Sequence, residues 1–488
     1  MNYPFWDVPI IGSAWVIGAI SIFHVLISHF AVGGGLYLPM AEAKALREGR
    51  TDWLEALHKH SKFFLVLTGV FGAVSGVGIW FSIGLANPEA TSTLIHNFVF
   101  GWAIEWVFFL VELTTAAVYY YTWNRIPAKL HLKIGWLYAV TSLLTLVIIN
   151  GILTFMLTPG GTWLSVAGSG NEASVFWNAF FNPTYWPSLF LRTLVCVSLA
   201  GIYALITASR IDGYEFPQLK TSLVRWSAKW LFPSFVLMPV FFLWYLLSVP
   251  EASRQLLSLG ISTIGQGVFT QVTRAALVTV MTSATILAVV YNVAWKNARS
   301  LNLGWALSVL ALALGATAAT EQAREMLRKP YVVGEHMYSN GIRKSEVGKF
   351  NAQGYLTNSM WISGHSATSL TPQPASLSNS ESSPPDSLTV GKLMFRGQCM
   401  ACHTLDGYRP MSRLVQGRDR AGIMDLLKTL HEYKADSPYR AYMPPLVGTQ
   451  TEVESLADYL QIVAATGPAG STTSPKLAQA PTQNQEKK

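Results

Sequence analysis

The chain has 488 residues, 51% of them apolar and only 13% charged, about half the charged density of an ordinary water-soluble protein, which excludes a wholly soluble fold and a wholly disordered one. Lys and Arg number 35 against 27 Asp and Glu, a formal net charge of +8; on a membrane chain such an excess belongs to loops facing the cytoplasm and does not call for a nucleic-acid partner. Three cysteines, Cys196, Cys399 and Cys402, exclude a framework of several disulfides and any four-cysteine zinc or iron–sulfur site within the chain.

Eight apolar stretches long enough for a bilayer, about 20 residues each, are predicted near 10–40, 62–86, 98–122, 131–157, 186–209, 229–249, 268–295 and 302–320. Basic residues sort between the loops. Lys44, Arg47, Arg50, Lys59 and Lys62 follow the first span, and Arg125, Lys129 and Lys133 the third. Arg210, Lys220, Arg225 and Lys229 follow the fifth, and Lys296 and Arg299 the seventh. The second and fourth loops have none, and the sixth has Arg254 alone. The positive-inside rule then puts the odd loops in the cytoplasm and both the N-terminus and the C-terminal part outside. No Lys or Arg precedes Lys44, so the first stretch lacks the basic start of a cleavable signal and reads as a retained helix.

Ionisable side chains within a bilayer are costly and mark function unless they are paired. The first span carries His24 and His29, which five residues set about 140° apart, so both cannot address one iron without distortion and one of them is structural. The third span carries Glu105 and Glu112, which seven residues bring within about 20° on one helical face. They read as working carboxylates or as partners of Arg or His on a neighbouring helix. Past the eighth span, Glu325-Met326-Leu327-Arg328-Lys329-Pro330-Tyr331 sets Glu325 on the outer side, where the bland reading is an interfacial charged cap.

Residues 366–388 are Ser- and Pro-rich and read as a flexible tether, and the tail from Gly467 reads as disordered. Between them, Cys399-Met400-Ala401-Cys402-His403 is the CxxCH pattern in which two thiols bond haem vinyl groups and the histidine becomes the proximal iron ligand. A zinc or redox CxxC is the bland alternative, but zinc would need further ligands. Residues 389–466, with Tyr442-Met443-Pro444-Pro445-Leu446 leading into the helical run Thr451 to Leu460, resemble the class I cytochrome c domain. That resemblance implies Met443 as the distal ligand. Met400 and Met411 lie too near the attachment site to cross the ring, and Met424 falls on a helical pattern. A His/Met iron favours electron transfer. From Lys392 to Asp458 nine basic residues face eight acidic ones, leaving no strong steering field, so the tether is expected to keep this domain near a redox partner in the same chain or complex.

Several membrane motifs resemble, in order and spacing, subunit I of the cytochrome bd quinol oxidases over about residues 10–335. They are the run His24 to Glu42 (HVLISHFAVGGGLYLPMAE), Glu105 and Glu112 followed by Trp123-Asn124-Arg125, His131, and Asn150-Gly151. The segment Leu327-Arg328-Lys329-Pro330-Tyr331 is similar to that family's Gly-Arg-Gln-Pro-Trp region, in altered form. The resemblance implies His24 as a haem ligand at the oxygen-reacting centre, Glu105 as a ligand or servant of the same haem, Glu112 in the proton path, and Glu325 as ligand of an adjacent high-spin b haem. This sequence also departs from the family. Glu105 and Glu112 are one residue closer than usual. Arg192 stands where the low-spin b haem has its His, and Ala276 where it has its Met; a guanidinium has no lone pair to give iron. The sixth loop, where the quinol-binding insertion belongs, is about twenty residues, and a ninth span is absent.

The expected architecture is all-α: a polytopic membrane bundle of about eight spans (1–330), an extracytoplasmic connector and linker (331–388), a cytochrome c domain (389–466) and a disordered tail (467–488). The expected function is a respiratory haem protein of the bacterial cytoplasmic (inner) membrane. It takes electrons through one covalent periplasmic haem c to a dihaem centre of haem b, or haem b and haem d, held by His24, Glu105 and Glu325 and reducing a small oxidant, oxygen by default. The alternative is a non-catalytic electron-transfer subunit in which His29 supplies a second ligand. Membrane lipid, a second membrane subunit, other respiratory-complex subunits and a periplasmic electron donor are the expected partners, and nucleic acid is not.

Overall fold

A computed structural model describes Trp6 and residues 8–255, 270–359 and 386–466. The predicted tether up to residue 385, the tail from Gly467 and most of the shortened sixth loop lie outside the described residues. Among the described residues eight helices are long and apolar enough to cross a membrane: Ser13–Glu48, Thr51–Ala86, Val99–Tyr121, Ala128–Phe155, Tyr185–Ser209, Pro217–Ser248, Gln271–Lys296 and Leu303–Arg328. They are numbered here as spans one to eight. The chain is a multi-pass, almost entirely helical membrane protein; among the described residues the strands amount to one small hairpin, Tyr331–Val333 against Met337–Tyr338.

Several helices outrun the apolar stretches that predict them. The first continues to Glu48, where Gly49, at φ 63°, turns the chain into span two, because only a residue tolerant of the left-handed region closes so short a connection. Lys59 and Lys62 therefore ride on span two and not in a loop. The eighth span runs past residue 320 to Arg328, its polar last turns stitched by Glu321–Arg324 at 2.7 Å and by a Glu325–Arg328 pair, both at i,i+3 spacing. Glu325 is thus on the final turn of a span and not beyond it.

Span one is the axis of the bundle. A Cβ on Gly33 would stand 1.9 Å from the Cys196 carbonyl oxygen, and one on Gly35 would stand 2.0 Å from the Tyr138 ring. The Gly33-Gly34-Gly35 run is what lets spans four and five close on span one, since membrane helices associate through backbone approach and dispersion more than through hydrophobicity. Around it Phe30, Tyr37, Tyr138, Leu199 and Tyr203 form the main core.

The C-terminal domain has helices Ser387–Gln398, Met411–Val415, Arg420–Glu432 and Gln450–Thr466. Asp386 caps the first of them, accepting from Thr389 N at 2.8 Å, so the predicted linker ends in a helix start at 386–388. The expected boundary at 389 is too late for a second reason. Tyr338, Ile342, Phe350 and Tyr355 share one core with Met394, Phe395, Leu456 and Leu460. The Glu452 carboxylate fastens the two segments, accepting from Tyr355 N and Leu356 N at 2.9 Å each and from Thr449 N at 2.8 Å. The connector after residue 337 is therefore part of the C-terminal domain's core.

That domain is also seated directly on the bundle. Tyr408 N donates to Ile10 O at 2.8 Å, a Cβ on Gly407 would lie 1.8 Å from that oxygen, and Gly12 lies against Thr404. A domain expected to be held by its tether alone has contacts that fix its position at the end of the bundle where span one begins and span eight ends.

Candidate functional site

The CxxCH loop follows helix Ser387–Gln398. Gln398 locks this helix to the later turn, its amide donating to Val447 O at 2.8 Å and accepting from Val447 N at 2.9 Å. Cys399, Cys402, His403 and Met443 are all half-buried, and both cysteines are free thiols. His403 Nδ1 lies 3.1 Å from Arg409 O. A carbonyl only accepts, so Nδ1 carries the hydrogen and Nε2 keeps a bare lone pair, the tautomer a metal-bound imidazole needs. Burial pushes His403 below its ordinary pKa, with the Arg409 and Lys329 charges adding to it against the Arg409 carbonyl. Burial raises the Cys399 thiol to about 12. Met443 N donates to Tyr439 O at 2.8 Å and Tyr433 OH donates to Met443 O at 2.9 Å, so the turn that carries the predicted distal ligand is pinned on both sides. Lys329 Nζ reaches Cys402 Sγ at 3.7 Å and Glu325 at 3.3 Å, so the last turn of span eight touches the CxxCH loop.

In the membrane part His24 packs against span two just after a π-helical turn, Leu67–Gly72. Its Nδ1 lies 3.0 Å from Ser75 Oγ. The Ser75 hydroxyl hydrogen is directed at Phe71 O, 2.6 Å away, so His24 Nδ1–H is the donor and its Nε2 is left bare. Gly76 leaves room beside the ring, since a Cβ there would stand 3.2 Å from His24 Cε1. His29 points elsewhere. Its Nδ1 donates to Val25 O at 2.8 Å, and its charged neighbours are Arg192 and Glu321. The two histidines address different helices, as their angular separation predicts.

Glu112 is buried and accepts a hydrogen bond from the Thr145 hydroxyl of span four. Glu105, half-buried on the same face, has no hydrogen-bonding or ionic partner among the described residues. Among the described residues neither carboxylate is paired with a basic residue of a neighbouring helix. Glu325 is different: one carboxylate oxygen is held by Arg328 and the other by Lys329, so the expected haem ligand has both oxygens engaged by cations. Among the described residues no three His, Cys, Asp or Glu side chains converge as a metal-holding group; His24, Glu105 and Glu325 are not brought together.

Sequence reasoning missed two clusters. Arg192 lies among the charges of Glu321 and Arg324, and its Nε donates to Ser188 Oγ at 3.3 Å. At the other end of the bundle the Glu42 carboxylate takes the Tyr119 hydroxyl and the His131 Nδ1, each at 2.7 Å, while His131 Nε2–H donates to Tyr119 O at 2.8 Å. The available signal was Glu42 and His131 themselves, ionisable residues in or beside apolar runs.

The geometry can be set beside known proteins. The family described as cytochrome bd terminal oxidase subunit I matches residues 13–229. The solved structure "The structure of bd oxidase from Geobacillus thermodenitrificans" superposes with a TM-score of 0.53 at 16% identity, covering 66% of this chain and 86% of that one. No curated protein sequence matches the chain. This chain is similar in sequence to cytochrome bd terminal oxidase subunit I over its first five spans, and similar in fold to a bd oxidase chain over most of that chain's length.

Proposed function

We propose that this chain is a membrane haem protein of the bd type, to which electrons pass through a haem bound covalently in its C-terminal domain and which reduces a small oxidant, oxygen by default. The observation that carries the reading is the seat of the CxxCH loop on the bundle, with Cys402 Sγ 3.7 Å from Lys329 Nζ and Lys329 holding Glu325. Haem, where bound, supplies one-electron chemistry and an open iron position for a small molecule.

The residues fit such groups to different degrees. Cys399 and Cys402 offer two thiols for covalent attachment, His403 a bare Nε2 and Met443 a thioether on a pinned turn. His24 offers a bare Nε2 beside a glycine-lined gap. Glu105 and Glu112 hold or move protons on the face of span three, Glu112 steadied by Thr145. Glu325 does not fit as a free ligand; it anchors Lys329 and Arg328 where the two parts meet. Both ends of the chain's membrane part, Gly12 and Lys329, lie beside the C-terminal domain, which supports placing that domain on the periplasmic side, away from the basic loops. A second membrane subunit and lipid would cover the apolar outer faces of the spans, and a periplasmic donor would feed the domain.

A second reading is favoured by His29, whose Nδ1–H is also spent on a carbonyl, leaving another bare Nε2. A six-coordinate membrane haem would make the chain an electron conduit without turnover. Reduced-minus-oxidised spectra with and without carbon monoxide separate the two: an enzyme shows a shift from a membrane haem, a conduit none. Haem extraction from the full chain should leave one haem covalently attached and release the others; no covalent haem would sink the first reading.

A further inference from the structure

At the end of the bundle away from the C-terminal domain, a cavity of about 540 Å³ opens between spans one, two and six and the end of span seven. Four cations line it, Lys44, Arg50, Arg225 and Lys229, against one carboxylate, Glu48. Glu48 is taken by Lys44, and Arg50 is chelated by Asp52 at 2.7 and 2.8 Å. Arg225 and Lys229 have no carboxylate partner among the described residues. Arg225 is oriented all the same: its Nε donates to Trp295 O at 3.1 Å, which leaves its two Nη groups for something else. A smaller groove that shares Arg225 adds Lys296 and Arg299.

The aromatic lining supplies a second, independent observation. Trp53 Nε1 is satisfied by Ser222 Oγ at 2.8 Å, and Lys44 Nζ sits 5.4 and 5.6 Å from the Trp53 and Trp226 rings. Trp226 Nε1, by contrast, is buried with no acceptor. A buried indole N–H without a partner is rare in a folded chain. Tryptophan with Lys and Arg at a span terminus is the signature of the membrane–water interface. Lys229 directly precedes the apolar run from Leu231, whose Val236 and Val240 are 70% and 62% exposed, so acyl chains can lie directly below the cavity.

We propose that this cavity binds the headgroup of an anionic glycerophospholipid, its phosphate held by Arg225 and Lys229 and flanked by Lys44 and the Trp53 and Trp226 rings. Fixed basic pockets between spans favour such headgroups over zwitterionic ones. The site would tie the first two spans to the sixth and seventh at the end of the bundle where the C-terminal domain cannot. It rests on the membrane reading of the bundle and is independent of any haem.

The test uses the full chain in neutral detergent, with native mass spectrometry after incubation with dioleoyl phosphatidylglycerol, dioleoyl phosphatidylcholine or inorganic phosphate. One phosphatidylglycerol per chain should be retained about tenfold better than phosphatidylcholine, and the double variant R225Q/K229Q should lower its retention about tenfold. The control pair Lys129→Gln and Lys133→Gln, basic residues outside the cavity, should change nothing. Equal retention of both lipids, equal loss in the control pair, or displacement of the lipid by millimolar phosphate would overturn the proposal; the last outcome would assign the cavity to a soluble phosphate instead.

Discussion

His403 lies in a water-facing domain and His24 in the membrane bundle, yet each spends Nδ1–H on an oxygen and leaves Nε2 bare. The difference is where the oxygen comes from. His403 is set by Arg409, six residues on in the same loop, so its preparation travels with the motif. His24 is set by Ser75, 51 residues away on another helix, and depends on spans one and two closing in register. A local site should survive disturbance of the bundle, and the membrane site should not survive the loss of its neighbour.

Replacing Cys399 and Cys402 together by Ser should remove the covalent haem completely on a haem-stained denaturing gel while leaving the membrane-haem absorbance; loss of both together would mean that the two regions do not bind haem independently. His24→Ala should abolish the carbon monoxide shift and spare the c-type spectrum. His131→Ala strips a buried carboxylate of its partner, and unpaired buried charge costs about 3 kcal/mol or more, read as a lower midpoint of thermal unfolding in detergent. Ser75→Ala keeps His24 but frees its tautomer, so membrane-haem retention on dilution should fall about tenfold, the usual effect of losing such a support; an unchanged retention would break the parallel between the two histidines.

The smallest effect concerns the small hairpin after span eight. His336 packs edge-on to Trp163 at 5.0 Å, and burial, aided by the Arg343 charge and opposed by Glu172, lowers its pKa from 6.5 to about 4. The unfolded chain takes up that proton first, so the contribution is complete above about pH 6.5 and is lost as pH falls toward 4. Thermal midpoints measured across that window should decline in the parent chain, and His336→Gln should flatten the decline.

Much of this arrangement was legible before any coordinates. Span count follows from apolar length, because a bilayer accepts little but a helix of about 20 residues. The separation of His24 from His29, and the shared face of Glu105 and Glu112, follow from 100° per residue. The ends of the spans were less legible: Lys59 and Lys62 look like loop residues until Gly49 turns the chain, and Glu321 looks like the end of a helix until Arg324 neutralises it in place. The role expected of Glu325 met the same obstacle, since Arg328 and Lys329 stand beside it in sequence without revealing that both carboxylate oxygens are taken.

The sequence by itself determined the number of spans, the CxxCH spacing and the shared face of Glu105 and Glu112, since each depends on residues close together along the chain or on composition averaged over a helix. Only the tertiary structure decided that the connector folds into the C-terminal domain, that this domain sits on Ile10 and Lys329, and that four cations and an unsatisfied indole meet at the far end. Those outcomes join segments from fifty to several hundred residues apart, and the energy of such contacts depends on surfaces that exist only once the helices have packed.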